Sequence, residues 1–375
     1  MSSARRTILV AGALGVVGRA VVERFAARAD ATVIALARRA SDFAPQATWI
    51  SVDLRDAAAT RAALAAHPDV THLVYAALHE QADLLEGWRA QANVDLNTAM
   101  LRHTLDALAG APLAHVTLLQ GTKAYGVHTG RAMRVPARET DAVRDHANFY
   151  FDQQDLVAAR GAATGFDWTI FRPQIVLGVA VGSAMNPVAT LAAYALLARE
   201  RGLPLVYPGP IDLLTECTDA RLIAQAIEWA WDAPRAHGEA FNIANGDVVV
   251  WAELFKRLAD HFDMPLGAPA RQRLRDAMPA QAASWRTLAE REGLRVADLG
   301  ALIGLSWQYA EATWAASRPL AVPPLVSTIK LRQAGFGACI DSEECIVEHL
   351  EAMSARGYLP ARRVPPVTRP GCPAA

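Results

Sequence analysis

A doubly wound parallel α/β fold is predicted by three observations. An apolar run, Ile8-Leu-Val-Ala-Gly12, passes directly into glycines at 12, 15 and 18 and then into a helical pattern. Short β-rich runs near 7–11, 32–36, 48–52, 71–76, 114–120 and 167–171 alternate with stretches of helical period. Over 375 residues, 52% apolar and 20% charged content is enough for one large core or two lobes. Strands that alternate with helices in this way build a parallel sheet covered on both faces.

The first strand, turn and helix read as a Rossmann-type phosphate loop. Glycine tolerates φ > 0 and lets backbone approach a phosphate without an intervening Cβ, while a helix starting near Leu14 offers unpaired N–H groups and its positive dipole end. A dinucleotide pyrophosphate is therefore expected against Gly12, Leu14, Gly15, Val16, Val17 and Gly18. The bland alternative is a tight strand-to-helix turn. After the second strand, where a carboxylate would accept from a free ribose 2′-OH, the chain has Arg38-Arg39. Two guanidiniums suit a 2′-phosphate, so NADPH is expected over NADH; the alternative is a pair of solvated arginines. Asp53 and Leu54, after the third strand, are placed beside the adenine, and Ala76 and Ala77, after the fourth, are small enough to let the cofactor lie close. Gln120 and Gly121 after the fifth strand, and Pro173, Ile175 and Val176 after the sixth, complete the expected cofactor contacts.

A helix is predicted over 83–108, with Asn93 and Asn97 either bonding backbone near the site or facing solvent. Past Arg172-Pro173 the alternation breaks. An Ala-rich helix (187–202), a helix over 219–232 capped at Thr218-Asp219, and a strand at 240–243 follow, and then a mainly helical segment from 250 to 357. We expect residues 1–173 and 216–245 to form the dinucleotide-binding domain, and 174–215 with 246–360 a smaller, mainly helical substrate lobe. The proline-containing tail, 361–375, is expected to be mobile. Trp251, Trp285, Trp307 and Trp314 are candidates for an apolar pocket between the lobes, or else core residues. The helix near 187–202 is expected either to cover that pocket or to form an interface, as in a homodimer.

A net charge of −1 gives no global attraction to nucleic acid or an anionic membrane, so neither is expected as a partner. Cys217, Cys339, Cys345 and Cys372 are sparse, without Cys-x-x-Cys spacing or a His-Glu-x-x-His elsewhere, so neither a metal site nor a disulfide framework is expected. The apolar run after the basic start is short and broken by glycines, which makes it a buried strand and not a signal peptide. No apolar run reaches the roughly eighteen residues of a membrane span. A cytoplasmic location is expected.

Two segments carry the chemistry: Leu119-Gln-Gly-Thr-Lys-Ala-Tyr-Gly126, at the carboxyl end of a strand, and Asn148-Phe-Tyr-Phe-Asp-Gln-Gln-Asp155, which opens a helix. Ordinary short-chain dehydrogenases place a Tyr-x-x-x-Lys in the second. Here Tyr150 is present but Gln154 stands where the lysine would be, Gly121 stands where the serine would be, and Lys123 follows two residues later. With its Gly-x-x-Gly-x-x-Gly loop, this pattern resembles the progesterone 5β-reductase and iridoid synthase-like branch of the extended short-chain dehydrogenase/reductase superfamily. That branch carries Leu-Gln-x-x-x-Lys-x-Tyr-type and Asn-Phe-Tyr-Tyr-x-x-Glu-Asp motifs, and its catalytic lysine and tyrosine match Lys123 and Tyr150. The resemblance extends through Phe241-Asn-Ile-Ala-Asn-Gly-Asp247 and Gly335-Phe-Gly. The departures are Phe151 for the second tyrosine, Gln154 for the glutamate and Ala124 for the histidine that often follows the lysine.

The resemblance implies NADPH-dependent 1,4-reduction of an enone, with hydride delivered to the β-carbon. Negative charge then develops on the carbonyl oxygen, where the Tyr150 O–H is the expected donor. Lys123 is expected to lower the phenol pKa from about 10 toward the working range, and water to protonate the α-carbon. A small or medium apolar carbonyl compound is the expected substrate. Three other readings share the fold: a nucleotide-sugar epimerase or dehydratase, against which Gln154 and Arg38-Arg39 argue; a ketone reductase; and an NADPH-binding sensor without turnover.

Overall fold

The computed structural model describes residues 5–41, 43–316 and 323–362. Its strands are β1 (Arg6–Ala11), β2 (Ala31–Ala37), β3 (Thr48–Ser51), β4 (His72–Tyr75), β5 (His115–Leu119), β6 (Asp167–Pro173), β7 (Val176–Leu177), β8 (Leu214–Thr215), β9 (Thr218–Asp219), β10 (Glu239–Ile243) and β11 (Val249–Val250). Seven of them form one parallel sheet in the order β3-β2-β1-β4-β5-β6-β10, which is the doubly wound arrangement expected. The order reverses between β1 and β4, so a crevice opens there beyond the strands' carboxyl ends.

A central parallel strand is covered on both faces and therefore reads as continuous apolar sequence. β1 shows this residue by residue: Ile8 and Val10 pack into one core with Val22, Phe25, Ile223 and Ile227, while Leu9 and Ala11 pack into the opposite core with Met100, Leu101 and Leu105. The covering helices are α1 (Val16–Phe25) and, further on, α7 (Ala220–Asp232) on the first face; α2 (Ala57–Leu64), α3 (Leu84–Arg89), α4 (Gln91–Ala107) and α5 (Phe149–Thr164) precede α6 (Pro187–Glu200) in the chain. Where one helix was expected over 83–108 there are two, because Ala90 is extended (φ −75°, ψ 119°). The break is held by the buried Asn93 amide, which donates to the Gly87 carbonyl at 3.0 Å.

A third core is built around α6, which is surrounded by α8 (Trp251–His261), α9 (Leu274–Ala277), α10 (Ala282–Glu292), α11 (Leu299–Ile303), α12 (Ser306–Ala312) and, after α13 (Ile329–Ala334), by α14 (Ser342–Ala355). Asn186 caps α6 by accepting from the Val188 N–H, and Pro187 opens it. Every residue from Pro187 to Leu197 is buried. This helix therefore neither covers the crevice nor presents an interface; it is the spine of the helical region. Of the two readings left open for the tryptophans, core is the one observed: Trp251, Trp285, Trp307 and Trp314 all lie in this third core, and none lines the crevice. Of the tail expected to be mobile, 363–375 lies outside the described residues. No helix among the described residues is long and apolar enough to cross a membrane.

Candidate active site

The crevice is a cleft of about 1390 Å³, and every residue assigned above to catalysis or cofactor contact lines it. The glycine loop forms its floor. Gly12 adopts φ +80°, and a Cβ there would meet the Ala76 carbonyl oxygen at 2.6 Å, so only glycine lets the loop pass the end of β4. A Cβ on Gly18 would meet the Gly12 oxygen at 2.3 Å, so the third glycine seats α1 against the loop. No side chain caps α1, which leaves its N-terminus open toward the cleft.

At the end of β2, Arg38 and Arg39 are exposed along the cleft wall. Arg39 donates to the Val181 carbonyl at 3.0 Å, whereas the Arg38 guanidinium has no hydrogen-bond partner among the described residues. Asp53 is bound on both oxygens by Arg55, at 3.0 and 2.6 Å, and this pairing holds its pKa down at about 2. Leu54, Ala76 and Ala77 continue the wall toward β4.

Tyr150 and Lys123 are brought together by backbone anchors. Asn148 caps α5 by accepting from the Tyr150 N–H at 3.1 Å, and its amide donates to the Lys123 carbonyl at 3.1 Å. Gln120 donates to the Tyr150 carbonyl at 2.9 Å and accepts from Arg172 at 2.8 Å. Gly121 lies against the phenol: a Cβ there would stand in van der Waals contact, 3.4 Å from Tyr150 Oη. On the other side, Asn97 accepts from the His79 N–H at 2.8 Å and donates to the His79 carbonyl at 3.1 Å. Of the two readings left open for Asn93 and Asn97, backbone bonding beside the site is the one observed.

The electrostatics differ from expectation. Burial pushes the Tyr150 phenol above its usual range and nearby Glu80 pushes it further, so the group stays protonated. Burial lowers the Lys123 pKa, with Glu80 opposing. Lys123 Nζ lies 3.9 Å over the Trp88 ring centroid and 3.7 Å from Met185 Sδ, held by a cation–π contact on one side. The expected lowering of the phenol pKa by Lys123 is not observed: lost solvation dominates at Tyr150, and the charge that acts on Lys123 is that of Glu80.

Glu80, Trp88 and Met185 were missed from sequence. Glu80 lies five residues beyond β4, in the stretch read only for its small Ala76-Ala77 pair. Trp88 was absorbed into a single long helix, and its ring meets Tyr150 edge-on at 5.3 Å. Met185 carries no local signal; it arrives from the segment before α6.

Residues 8–244 match the model of the NAD dependent epimerase/dehydratase family, and the chain belongs to this family of extended short-chain dehydrogenases/reductases. Its similarities fall in the progesterone 5β-reductase and iridoid synthase-like branch. It is 29% identical over 385 residues to an (S)-8-oxocitronellyl enol synthase of Nepeta racemosa, covering 94% of this chain and 91% of the relative. It is 34% identical over 277 residues to the 3-oxo-Delta(4,5)-steroid 5-beta-reductase of Arabidopsis thaliana, covering 68% of each. Among solved structures, the UDP-glucose 4-epimerase of Thermus thermophilus in complex with NAD superposes with a TM-score of 0.61 at 17% identity, covering 92% of this chain and 99% of that one. An epimerase from Methanothermobacter thermautotrophicus gives 0.66 at 16%, covering 95% and 94%. At these identities the likeness is one of fold.

Proposed function

We propose that the protein is an NADPH-dependent reductase of activated C=C bonds, acting on small or medium apolar enones. The observation that carries this reading is the buried Tyr150 O–H, standing over Gly121 in a cleft that Lys123 also lines, the lysine being supplied from the strand end and not from the tyrosine's own helix. The relatives named enol synthase and steroid 5-beta-reductase support the same chemistry.

The cleft fits a nicotinamide dinucleotide phosphate on its own geometry. The open N-terminus of α1 and the loop Gly12–Gly18 suit a pyrophosphate, and the uncommitted Arg38, with Arg39 beside it, suits a 2′-phosphate. Asp53 is already paired with Arg55. Pro173, Ile175 and Val176 form an apolar wall near Gly121. When bound, the cofactor supplies the hydride.

The protein's own part is to stabilise the charge that develops on the substrate oxygen. Because burial keeps Tyr150 protonated, its O–H is an intact donor, fixed in place by Asn148, Gln120 and the edge of Trp88 before substrate enters. Lys123 adds positive potential from a position where Trp88 and Met185 limit its movement.

The test is NADPH oxidation with a panel of enones and a saturated ketone, comparing wild type with Tyr150→Phe and identifying products. Loss of the C=C bond alone is expected, with a rate roughly 10² to 10³ lower in the variant, as for removal of one oxyanion donor. Reduction at the carbonyl carbon would overturn the reading in favour of a ketone reductase.

A further inference from the structure

Lys123 is enclosed by two residues from distant segments, Trp88 of α3 and Met185 of the stretch before α6. One helix, α12, is bonded to both segments. Ser306 Oγ donates to the Ser183 carbonyl at 2.7 Å and accepts from the Asn186 N–H at 3.2 Å, which fixes the chain on either side of Met185. Two residues on, the Gln308 amide reaches the other way, accepting from the Leu84 N–H at 3.0 Å and donating to the Ala82 carbonyl at 2.8 Å. α12 is itself a firm post, because its Trp307 and Ala310 are buried in the helical core.

We propose that Gln308 is a positioning residue for the reacting centre: by clasping residues 82–84 across the cleft, it keeps the Trp88 ring seated on Lys123 and against Tyr150. Its effect on turnover rests on the enone-reductase reading. α3 has only six residues, too few to hold its place by helix formation alone, so its position depends on what ties its ends. The C-terminal end is tied nearby, where Asn93 donates to the Gly87 carbonyl at 3.0 Å and Arg89 to the His128 carbonyl at 2.8 Å. The N-terminal end is tied across the cleft by Gln308. Trp88 lies about one turn beyond Leu84. Release of that end therefore carries the ring away from Lys123 Nζ, 3.9 Å from its centroid, and from the Tyr150 ring at 5.3 Å.

The Arg275–Asp83 ion pair spans the same gap but is a weaker tie. Its charged atoms stand 3.6 Å apart and both side chains are partly exposed, where such a pair contributes little. Glutamine suits the clasp because its amide carries a donor and an acceptor together, matched to one peptide C=O and one peptide N–H two residues apart. An ionised glutamate would present acceptors only, and leucine neither. Loss of both bonds is expected to shift the balance between seated and released α3 by about tenfold.

The chain has three lysines, Lys123, Lys256 and Lys330, so amine labelling reports on this enclosure. The free enzyme is treated with the N-hydroxysuccinimide ester of acetic acid, and acetylation of each lysine is followed by peptide mass spectrometry, with the surface Lys256 and Lys330 as references. Wild type is expected to label slowly at Lys123. Gln308→Leu, which keeps the size of the side chain and removes both bonds, is expected to label about tenfold faster at Lys123, with both references and the melting transition unchanged. In NADPH-dependent turnover of the enone panel, the same variant is expected to lower kcat by about threefold or more and to leave the KM for NADPH unchanged. Unchanged Lys123 labelling in the variant, faster labelling without a fall in kcat, or a rise at all three lysines overturns the proposal; the last would make Gln308 a support of the fold at large. If wild type reduces no C=C bond in the panel, the reductase reading fails and the role in turnover fails with it, while the labelling still decides whether Gln308 holds the enclosure.

Discussion

Arg38 and Arg39 are adjacent in sequence but differ in what they have free to offer. Arg39 is already bonded to Val181, whereas among the described residues the Arg38 guanidinium makes no hydrogen bond and feels only the longer-range pull of Asp53. A hydrogen bond to a charged group contributes roughly 1.5–3 kcal/mol, so Arg38→Ala is expected to raise the KM for NADPH about ten- to a hundred-fold while leaving that for NADH nearly unchanged. Steady-state kinetics with both cofactors check this. A second expectation concerns Glu216, which accepts from the Val326 N–H at 2.6 Å and whose pKa burial raises to about 7. In the unfolded chain this carboxyl ionises first, so its own contribution to stability is fully present below pH 4.5, falls as pH rises toward 7 and then levels off, by roughly 3 kcal/mol in all. Glu216→Gln should remove that share of the pH dependence, as followed by melting temperatures at pH 5 and 8. The identities of Tyr150, Lys123 and Arg38 were legible because motifs name residue types. Their ionisation was not, since desolvation depends on segments such as Glu80 and Met185 that arrive from elsewhere in the chain.

At the scale of elements, the most constrained is the turn between β1 and α1. Gly12→Ala would place a methyl 2.6 Å from the Ala76 carbonyl in a left-handed backbone position, so β4 and the loop must separate. A lower melting temperature is expected, together with loss of the stabilisation that NADPH gives the wild type; thermal shift with and without cofactor measures both. The sheet strands were legible to within a few residues because burial on both faces leaves a continuous apolar run. The break between α3 and α4 was not, because it involves neither proline nor a glycine at the break itself. It is stabilised by Asn93 reaching back to the Gly87 carbonyl, a bond that helical periodicity does not report.

Across the whole molecule, the cleft and the helical core meet at a boundary where Ile175, Val181, Tyr309 and Ala316 serve both, while the core's tryptophans serve only the core. Trp314 is fully buried and stacks on Trp251 with ring centroids 5.9 Å apart, and neither ring reaches the cleft. Trp314→Ala is expected to lower stability by about 3–5 kcal/mol, as large-to-small core changes do, while the KM for NADPH measured below the melting transition stays unchanged. Denaturant unfolding and cofactor kinetics together test this. The cleft instead depends on contacts that cross it, such as Gln308 on α12, which accepts from the Leu84 N–H at 3.0 Å and donates to the Ala82 carbonyl at 2.8 Å.

The parallel sheet, the glycine loop and the presence of Tyr150 and Lys123 in one cleft were legible before any coordinates, because each is written in local period or in a short motif whose chemistry needs those residue types. The packing of distant segments decided that the tryptophans and α6 form a core and not a pocket, that Trp88 and Met185 enclose the lysine, and that the Glu80 carboxyl is buried beside them. Those outcomes depend on which distant surfaces exclude water from one another, and exclusion of water is a property of the packed chain that no short window of residues contains.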